Sequence, residues 1–137
     1  MFKRQIQLCV FIENRPGRFT EFCDQLYGHG LDILALNLHA DSEVGVLRMV
    51  VDKTDVAIAL LKEEEIPFQQ AEVLVVEVPN QQGMAAGVGH RLAQADVNIE
   101  YAYFTGGAQE APALMVFKVS NLDQAMASLQ KSAQEYN

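Results

Sequence analysis

Between Gln5 and Phe11 the chain alternates: Ile6, Leu8, Val10 and then Ile12 fall on one parity, and Gln5, Gln7, Cys9 and Phe11 on the other. That is the period of a β-strand. From Phe19 the period changes. Phe19, Phe22, Cys23, Leu26 and Tyr27 recur at i, i+3, i+4, i+7 and i+8, which is one apolar helix face, and Gly28-His29-Gly30 stops it. Two strands follow, in LDILALNLHAD from Leu31 and VGVLRMVVD from Val44, around a polar turn at Asp41 to Glu43. Thr54 or Asp55 is placed to cap a short helix through Leu61. Pro67 then breaks the chain, and a closing strand is expected near Phe68. The order is strand, helix, strand, strand, helix, strand.

The pattern then repeats. Pro16-Gly17 opens the first amphipathic run and Gln82-Gly83 opens a second, a shift of 66 residues (82 − 16) that also carries Ile12 to Val78, Asn14 to Asn80, Phe22 to Val88, Leu26 to Leu92, Leu31 to Val97, Asp32 to Asn98 and Ile33 to Ile99. Asp55, Ala57 and Leu61 match Asp123, Ala125 and Leu129 at 68 (123 − 55), and the loop TGGAQEAP from Thr105 is placed to absorb the two extra residues. Strands are expected near Glu72 to Val78, Asn98 to Thr105 and Ala113 to Ser120, with helices near Met84 to Gln94 and Leu122 to Lys131. Only SAQEYN remains for the last strand. The second copy is therefore expected either to stay open at that edge or to borrow a strand.

The element order, with right-handed crossovers, predicts an α+β protein of two ferredoxin-like βαββαβ repeats, spanning residues 1–70 and 71–137, each with an antiparallel sheet and its helices on one face. A core of about 65 to 70 residues is marginal alone, so the copies are expected to lean on each other. The run VLVVEV, Val73 to Val78, is apolar at both parities. A strand of that kind is covered on both faces, by its own helices and by the sister repeat or another chain, and a homo-oligomer, a dimer foremost, is expected on this ground.

Charge and chemistry narrow the function. The formal net charge is −8 and the pI about 4.7, with no cluster of Lys or Arg, which excludes a nucleic-acid partner. No signal peptide or membrane span is read in the sequence, and a cytoplasmic location is expected. Cys9 and Cys23 have no CxxC spacing, so they read as reduced, packed thiols, and neither a metal nor a cofactor is expected. His29, His39 and His90 form no ligand pair at close spacing and read as surface histidines. GMAAGVG, from Gly83 to Gly89, looks like a glycine-rich loop but lacks both GxGxxG and GK[ST]; close helix packing explains its small residues better. Arg48 reads as a charge on the solvated side of a strand, and Tyr101, Tyr103 and Phe104 as core or interface filling.

The first copy, ENRPGRFTEFCDQLYGHGLDILALNLHADSEVGVLRMVVD, resembles an ACT domain: an N-x-P-G turn after strand one, an apolar helix ending in L-x-x-x-G, and LDI opening strand two. The second copy is similar in weaker form, with PNQQG and ADVNIEY at the matching places. The resemblance covers nearly the whole chain. It implies a stand-alone tandem ACT protein that binds a small molecule, usually an amino acid, where two modules meet, and that regulates a metabolic enzyme in trans by allostery. The cleft is implied to be lined by Asn14, Arg15, Pro16 and Gly17 with Asp32, Ile33 and Leu34, and in the second copy by Asn80, Gln81 and Gly83 with Asn98 and Ile99. The residues supply a mechanism. Unpaired amides at a helix start suit a carboxylate, glycine lets a ligand approach the backbone, and Asp32 suits an ammonium group where Asn98 offers a neutral hydrogen bond.

Two other readings stand beside this one. The same apolar faces would serve a pure oligomerisation or protein-interaction module, indifferent to ligand. The fold also hosts enzymes, and Arg15 with Asn37 distantly suggests acylphosphatase-like chemistry. The chain shows no Ser-His-Asp spacing and no nucleophile elbow, however. A non-catalytic role is expected.

Overall fold

The computed structural model describes residues 1–79, 82–105 and 112–135. Its elements are β1 (Phe2–Glu13), α1 (Arg18–Gly28), β2 (Ile33–His39), β3 (Val44–Val51), α2 (Thr54–Glu63), β4 (Phe68–Pro79), α3 (Met84–Gln94), β5 (Ile99–Thr105), β6 (Pro112–Val119) and α4 (Leu122–Glu135). Asn80, Gln81 and residues 106–111 of the TGGAQEAP loop lie outside the described residues. The chain forms two compact units, Ile6–Ala71 on the one hand and Met1–Gln5 with the residues from Glu72 onward on the other.

In the first unit the strand order is β2-β3-β1-β4. β3 is antiparallel to both neighbours, with Met49 opposite Leu8 on one side and Leu36 on the other. The Phe11 N–H donates to the Pro67 carbonyl at 3.0 Å where β4 approaches β1. The even parity of β1 (Leu8, Val10, Ile12) and the odd parity of β3 (Leu47, Met49, Val51) meet Phe22 and Leu26 of α1 and Ala57, Leu60 and Leu61 of α2 in one core. The alternation in the sequence is thus the buried face of the sheet.

The second unit has the order β1-β4-β6-β5. Leu74, Val76 and Val78 join Val88 and Leu92 of α3, Met115, Phe117 and Val119 of β6, and Ala125 and Leu129 of α4. Its missing closing strand is borrowed from the chain's own N-terminal residues: the Glu77 N–H donates to the Met1 carbonyl at 2.7 Å, and Phe2 packs against this core as Phe68 packs against the first. Arg4 adds ion pairs to Glu72, at 3.1 Å, and to Asp123. The closing strand of copy one and the opening strand of copy two, read from the sequence as separate, are one strand, β4. Nothing between Phe68 and Val78 is a Gly or Pro that would break it. Val73, Leu74, Val75 and Val76 are 0, 0, 2 and 5 % exposed. Both parities are therefore already buried in the single chain, and this strand does not by itself call for a second copy.

Three helices end in the same hydrogen-bonded motif, in which a left-handed residue is followed by a buried apolar one. After α1, Gly30 (φ 73) donates to the Tyr27 carbonyl and Leu31 to that of Leu26, both at 3.0 Å. After α2 and α3 the left-handed position falls to Glu65 (φ 54) and Asp96 (φ 58), and the apolar one to Ile66 and Val97. Helix starts are plainer, except at α4, where Asn121 Oδ1 accepts from the Gln124 N–H at 3.0 Å. The residue before α2 is Lys53 and no side chain caps the helix, so neither Thr54 nor Asp55 has the capping role its residue type suggested.

Candidate functional site

The turn Asn14-Arg15-Pro16-Gly17 carries the chain from β1 into α1. Gly17 has φ 85, and nothing lies within 4 Å of where its Cβ would stand. Its glycine is therefore required by backbone conformation. Asn14 is occupied structurally: its Nδ2 donates to the Ser42 carbonyl at 2.7 Å and its backbone N–H to the Glu43 carbonyl at 2.9 Å, tying the turn to the β2–β3 hairpin. Arg15 makes two hydrogen bonds to Glu21, at 3.2 and 2.9 Å, and Arg18 pairs with Glu13. The Arg15 hydrogen bonds hold the Glu21 carboxyl below its ordinary range and raise the Arg15 guanidinium in turn. Glu13 is lowered first by its own backbone amide and then by Arg18. No side chain caps the first turn of α1.

The second copy rebuilds this turn without charge. Gly83 has φ 88 and the same open surroundings, and α3 likewise starts with no side-chain cap. Where the first copy has Glu13, Arg15, Arg18 and Glu21, the shift of 66 (79 − 13) gives Pro79, Gln81, Met84 and Gly87. A cleft sits at the same place in both copies. The first, about 50 Å³, is lined by Ile12, Asn14, Phe19, Leu38 and Gly45 among others. The second, about 360 Å³, has Ala85, Phe104 and Ala113 where Phe19, Leu38 and Gly45 stand, together with Gly83 and Met115. The phenyl ring of Phe19, packed partly against its core, occupies space that Ala85 leaves empty. Phe104, read from the sequence as core or interface filling, is 62 % exposed beside this cleft, whereas Tyr103 is buried.

The strand-two positions lie elsewhere. Asp32 is at the end of its unit opposite the turn: its backbone N–H donates to Asp52 Oδ1 at 2.9 Å and its carbonyl accepts from the Asp52 N–H at 3.1 Å. Asn98 repeats this with Ser120, its N–H donating to Oγ at 2.9 Å. Asp52 and Ser120, related by the shift of 68 (120 − 52), escaped the sequence reading. The clue available was a short oxygen-bearing side chain just past the third strand of each copy. The hydrogen bond from Asp32 holds the Asp52 carboxyl below its ordinary value. Ile33 and Ile99 pack against their cores; Leu34 is half-buried. Among the described residues, then, neither turn cleft brings Asn14 or Arg15 together with Asp32 to Leu34, or Gly83 together with Asn98.

Other candidate features fall away. Among the described residues nothing lies within 4 Å of a Cβ added at Gly87 or Gly89, so close packing against them does not explain the small residues of α3. Arg48 is half-buried in β3, opposite Cys9 and Asn37. Cys9 and Cys23 are free thiols, and burial raises that of Cys23. Among the described residues no group of His, Cys, Asp and Glu is arranged to hold a metal ion, and no helix is long and apolar enough to cross a membrane.

No curated protein matches the chain. Among solved structures, protein BT0572 from Bacteroides thetaiotaomicron is similar, with 29 % identity, 96 % of this chain and 90 % of that one covered, and a TM-score of 0.86. Two regulatory subunits of aspartate kinase share the fold. The one from Thermus thermophilus, in ligand-free form, has 15 % identity, 100 % and 96 % coverage and a TM-score of 0.69. The one from Thermus flavus has 14 % identity, the same coverages and a TM-score of 0.60. Residues 4–136 match the family model of the ACT domain pair, and the chain belongs to that family.

Proposed function

We propose that this chain is a cytoplasmic, non-catalytic regulatory protein that binds an amino acid in the turn cleft of its second repeat and signals the bound state to a separate metabolic enzyme. The ACT domain pair is a regulatory module rather than a catalytic one, which supports the first half of the reading. The observation that carries the second half is the recurrence of one cleft at the same place in both repeats, about 50 Å³ behind Phe19 and about 360 Å³ beside Ala85. The larger falls within the roughly 300 to 1,000 Å³ of small-molecule sites. The start of α3 offers uncapped amides to a carboxylate, while Met115, Ala113 and Phe104 offer apolar wall to a side chain. The free thiols of Cys9 and Cys23 fit a reducing compartment.

Isothermal titration with a panel of amino acids tests the proposal. Binding is expected in the wild type and in Phe19→Ala, and is expected to be lost in Ala85→Phe, which plants the first repeat's ring in the second cleft. Circular dichroism confirms that the variant is folded. Silence across the panel, with an oligomeric mass by light scattering that ignores every amino acid, overturns the reading in favour of a ligand-independent assembly module.

A further inference from the structure

Phe104 is an apolar ring left largely in water. It sits near the end of β5, a strand at the edge of the sheet, it is 62 % exposed, and it stands directly opposite Met115 in the ladder to β6. Both side chains line the turn cleft of the second repeat, together with Ala113, which precedes Met115 by two residues on the same face of β6. The first repeat shows the same position beside a small cleft. There Leu38 stands opposite Leu47, and its Cδ1 methyl lies over Gly45, 3.4 Å from where a Cβ would be, at a cleft of about 50 Å³. The second repeat has the methyl group of Ala113 at that place, and the ring in the position of Leu38 has about 360 Å³ beside it.

The geometry points to Phe104 as the residue that sets specificity in this cleft, by closing over an apolar side chain of the bound amino acid that rests against Met115 and Ala113. The inference rests on the turn cleft proposed above and narrows its ligand to an amino acid with an aliphatic or thioether side chain. The physical reason is area. An exposed ring and an apolar side chain take each other out of water when they meet, and the gain grows with the surface removed. Met115 suits the floor, since its unbranched thioether adapts to what lies on it and contacts aromatic rings favourably. It is only 4 % exposed, so the core holds the floor in place while the ring of Phe104 moves by rotation about its own side-chain bonds. An acidic or basic side chain laid on the same walls would lose water and gain no partner from them.

Isothermal titration of the full chain with leucine, methionine, alanine, glutamate and lysine tests this. Leucine and methionine are expected to bind on the order of tenfold more tightly than alanine, and glutamate and lysine more weakly than leucine. Phe104→Ala removes a ring that is mostly in solvent, and it is expected to narrow the preference for leucine over alanine to about two- to threefold. A purely structural role for the ring would leave that ratio unmoved. The chain has no tryptophan, so Phe104→Trp places a single indole beside the cleft, and its emission is expected to shift to the blue with leucine. Glutamate or lysine binding as tightly as leucine, an unchanged leucine-to-alanine ratio in Phe104→Ala, or an indole that ignores bound leucine would each overturn the assignment. So would a mass by light scattering that falls in ligand-free Phe104→Ala, because the ring would then belong to a contact between copies. An amino acid of another class whose binding is abolished by Ala85→Phe would overturn this assignment and leave the cleft itself standing, whereas silence across the panel would overturn both.

Discussion

Gly89 sits in the middle of α3, half-exposed, with nothing within 4 Å of the place its Cβ would occupy and without a positive φ. Replacing it with alanine therefore adds a methyl group to open space while removing the conformational freedom that makes glycine a poor helix former. The gain from helix propensity is about 0.8 to 1.0 kcal/mol, and no packing term of comparable size opposes it. Denaturation in guanidinium chloride should show the midpoint raised at unchanged slope, the signature of a stability change without a change in exposed surface. The thermal shift carries a second message. If the second unit melts alone, a gain of about 1 kcal/mol corresponds to roughly 4 to 8 °C; a chain that melts as one moves by roughly half as much. A fall in stability would refute the reasoning, because it would mean that some surface beyond the described residues packs against Gly89 and that the small residues of α3 are there for close approach after all.

The turn glycines should respond in the opposite direction. Gly17→Ala and Gly83→Ala force an L-residue to φ 85 and 88, and each is expected to cost about 1 to 2 kcal/mol by chemical denaturation; a neutral result at either would show that the turn relaxes freely. Asp52 governs part of the acid limb. Its carboxyl is depressed in the folded state, first by the hydrogen bond from the Asp32 amide, so its contribution is present above the unfolded value, about pH 4, and is lost as pH falls through the folded one. Asp52→Ser, which copies Ser120, should flatten the loss of stability below about pH 4, and an unchanged acid limb would show that Asp52 contributes nothing there.

Much of this architecture is legible in the sequence because the signals are local. The alternation from Ile6 to Ile12, the helical spacing from Phe19 to Tyr27, the run from Asp55 to Leu61 and the shifts of 66 (82 − 16) and 68 (123 − 55) to the second copy locate β1 and the described helices. What was not legible depends on partners far away in the chain. Phe2 is the only apolar residue between Met1 and Ile6, so nothing in Lys3, Arg4 and Gln5 announces a strand that completes the second core. Only pairing with β4 makes it one. The continuity of β4 had a visible cause, the absence of Gly and Pro, but the ferredoxin-like template suggested two strands there.

The turn itself was legible, since Asn14, Pro16 and Gly17 mark it, yet residue type alone does not show that the Asn14 side-chain amide donates to the Ser42 carbonyl or that the Asp32 backbone is tied to Asp52. The pair Phe19 and Ala85 was visible as a substitution. Its consequence in volume was not, because that depends on which way the ring points.

Two differences separate the turns, and magnitudes decide which of them matters to a ligand. The first turn is dressed with the pairs Arg15–Glu21 and Arg18–Glu13, and the second is bare of charge. Arg15 and Glu21 lie in solvent, where screening leaves an ion pair little net worth, so a zwitterion with its own two charges exchanges with that pair at little cost. Volume is less negotiable. About 50 Å³ holds a few water molecules at most, and widening it means expelling a phenylalanine ring from its packing, at a cost in the range of about 1 to 3 kcal/mol for a misfit side chain before any contact is made. The second turn, at about 360 Å³, needs no such expulsion. The first turn thus holds a ring of its own where the second has only the methyl group of Ala85, and that exchange stands beside Leu38 to Phe104 and Gly45 to Ala113 among the differences that separate the two clefts.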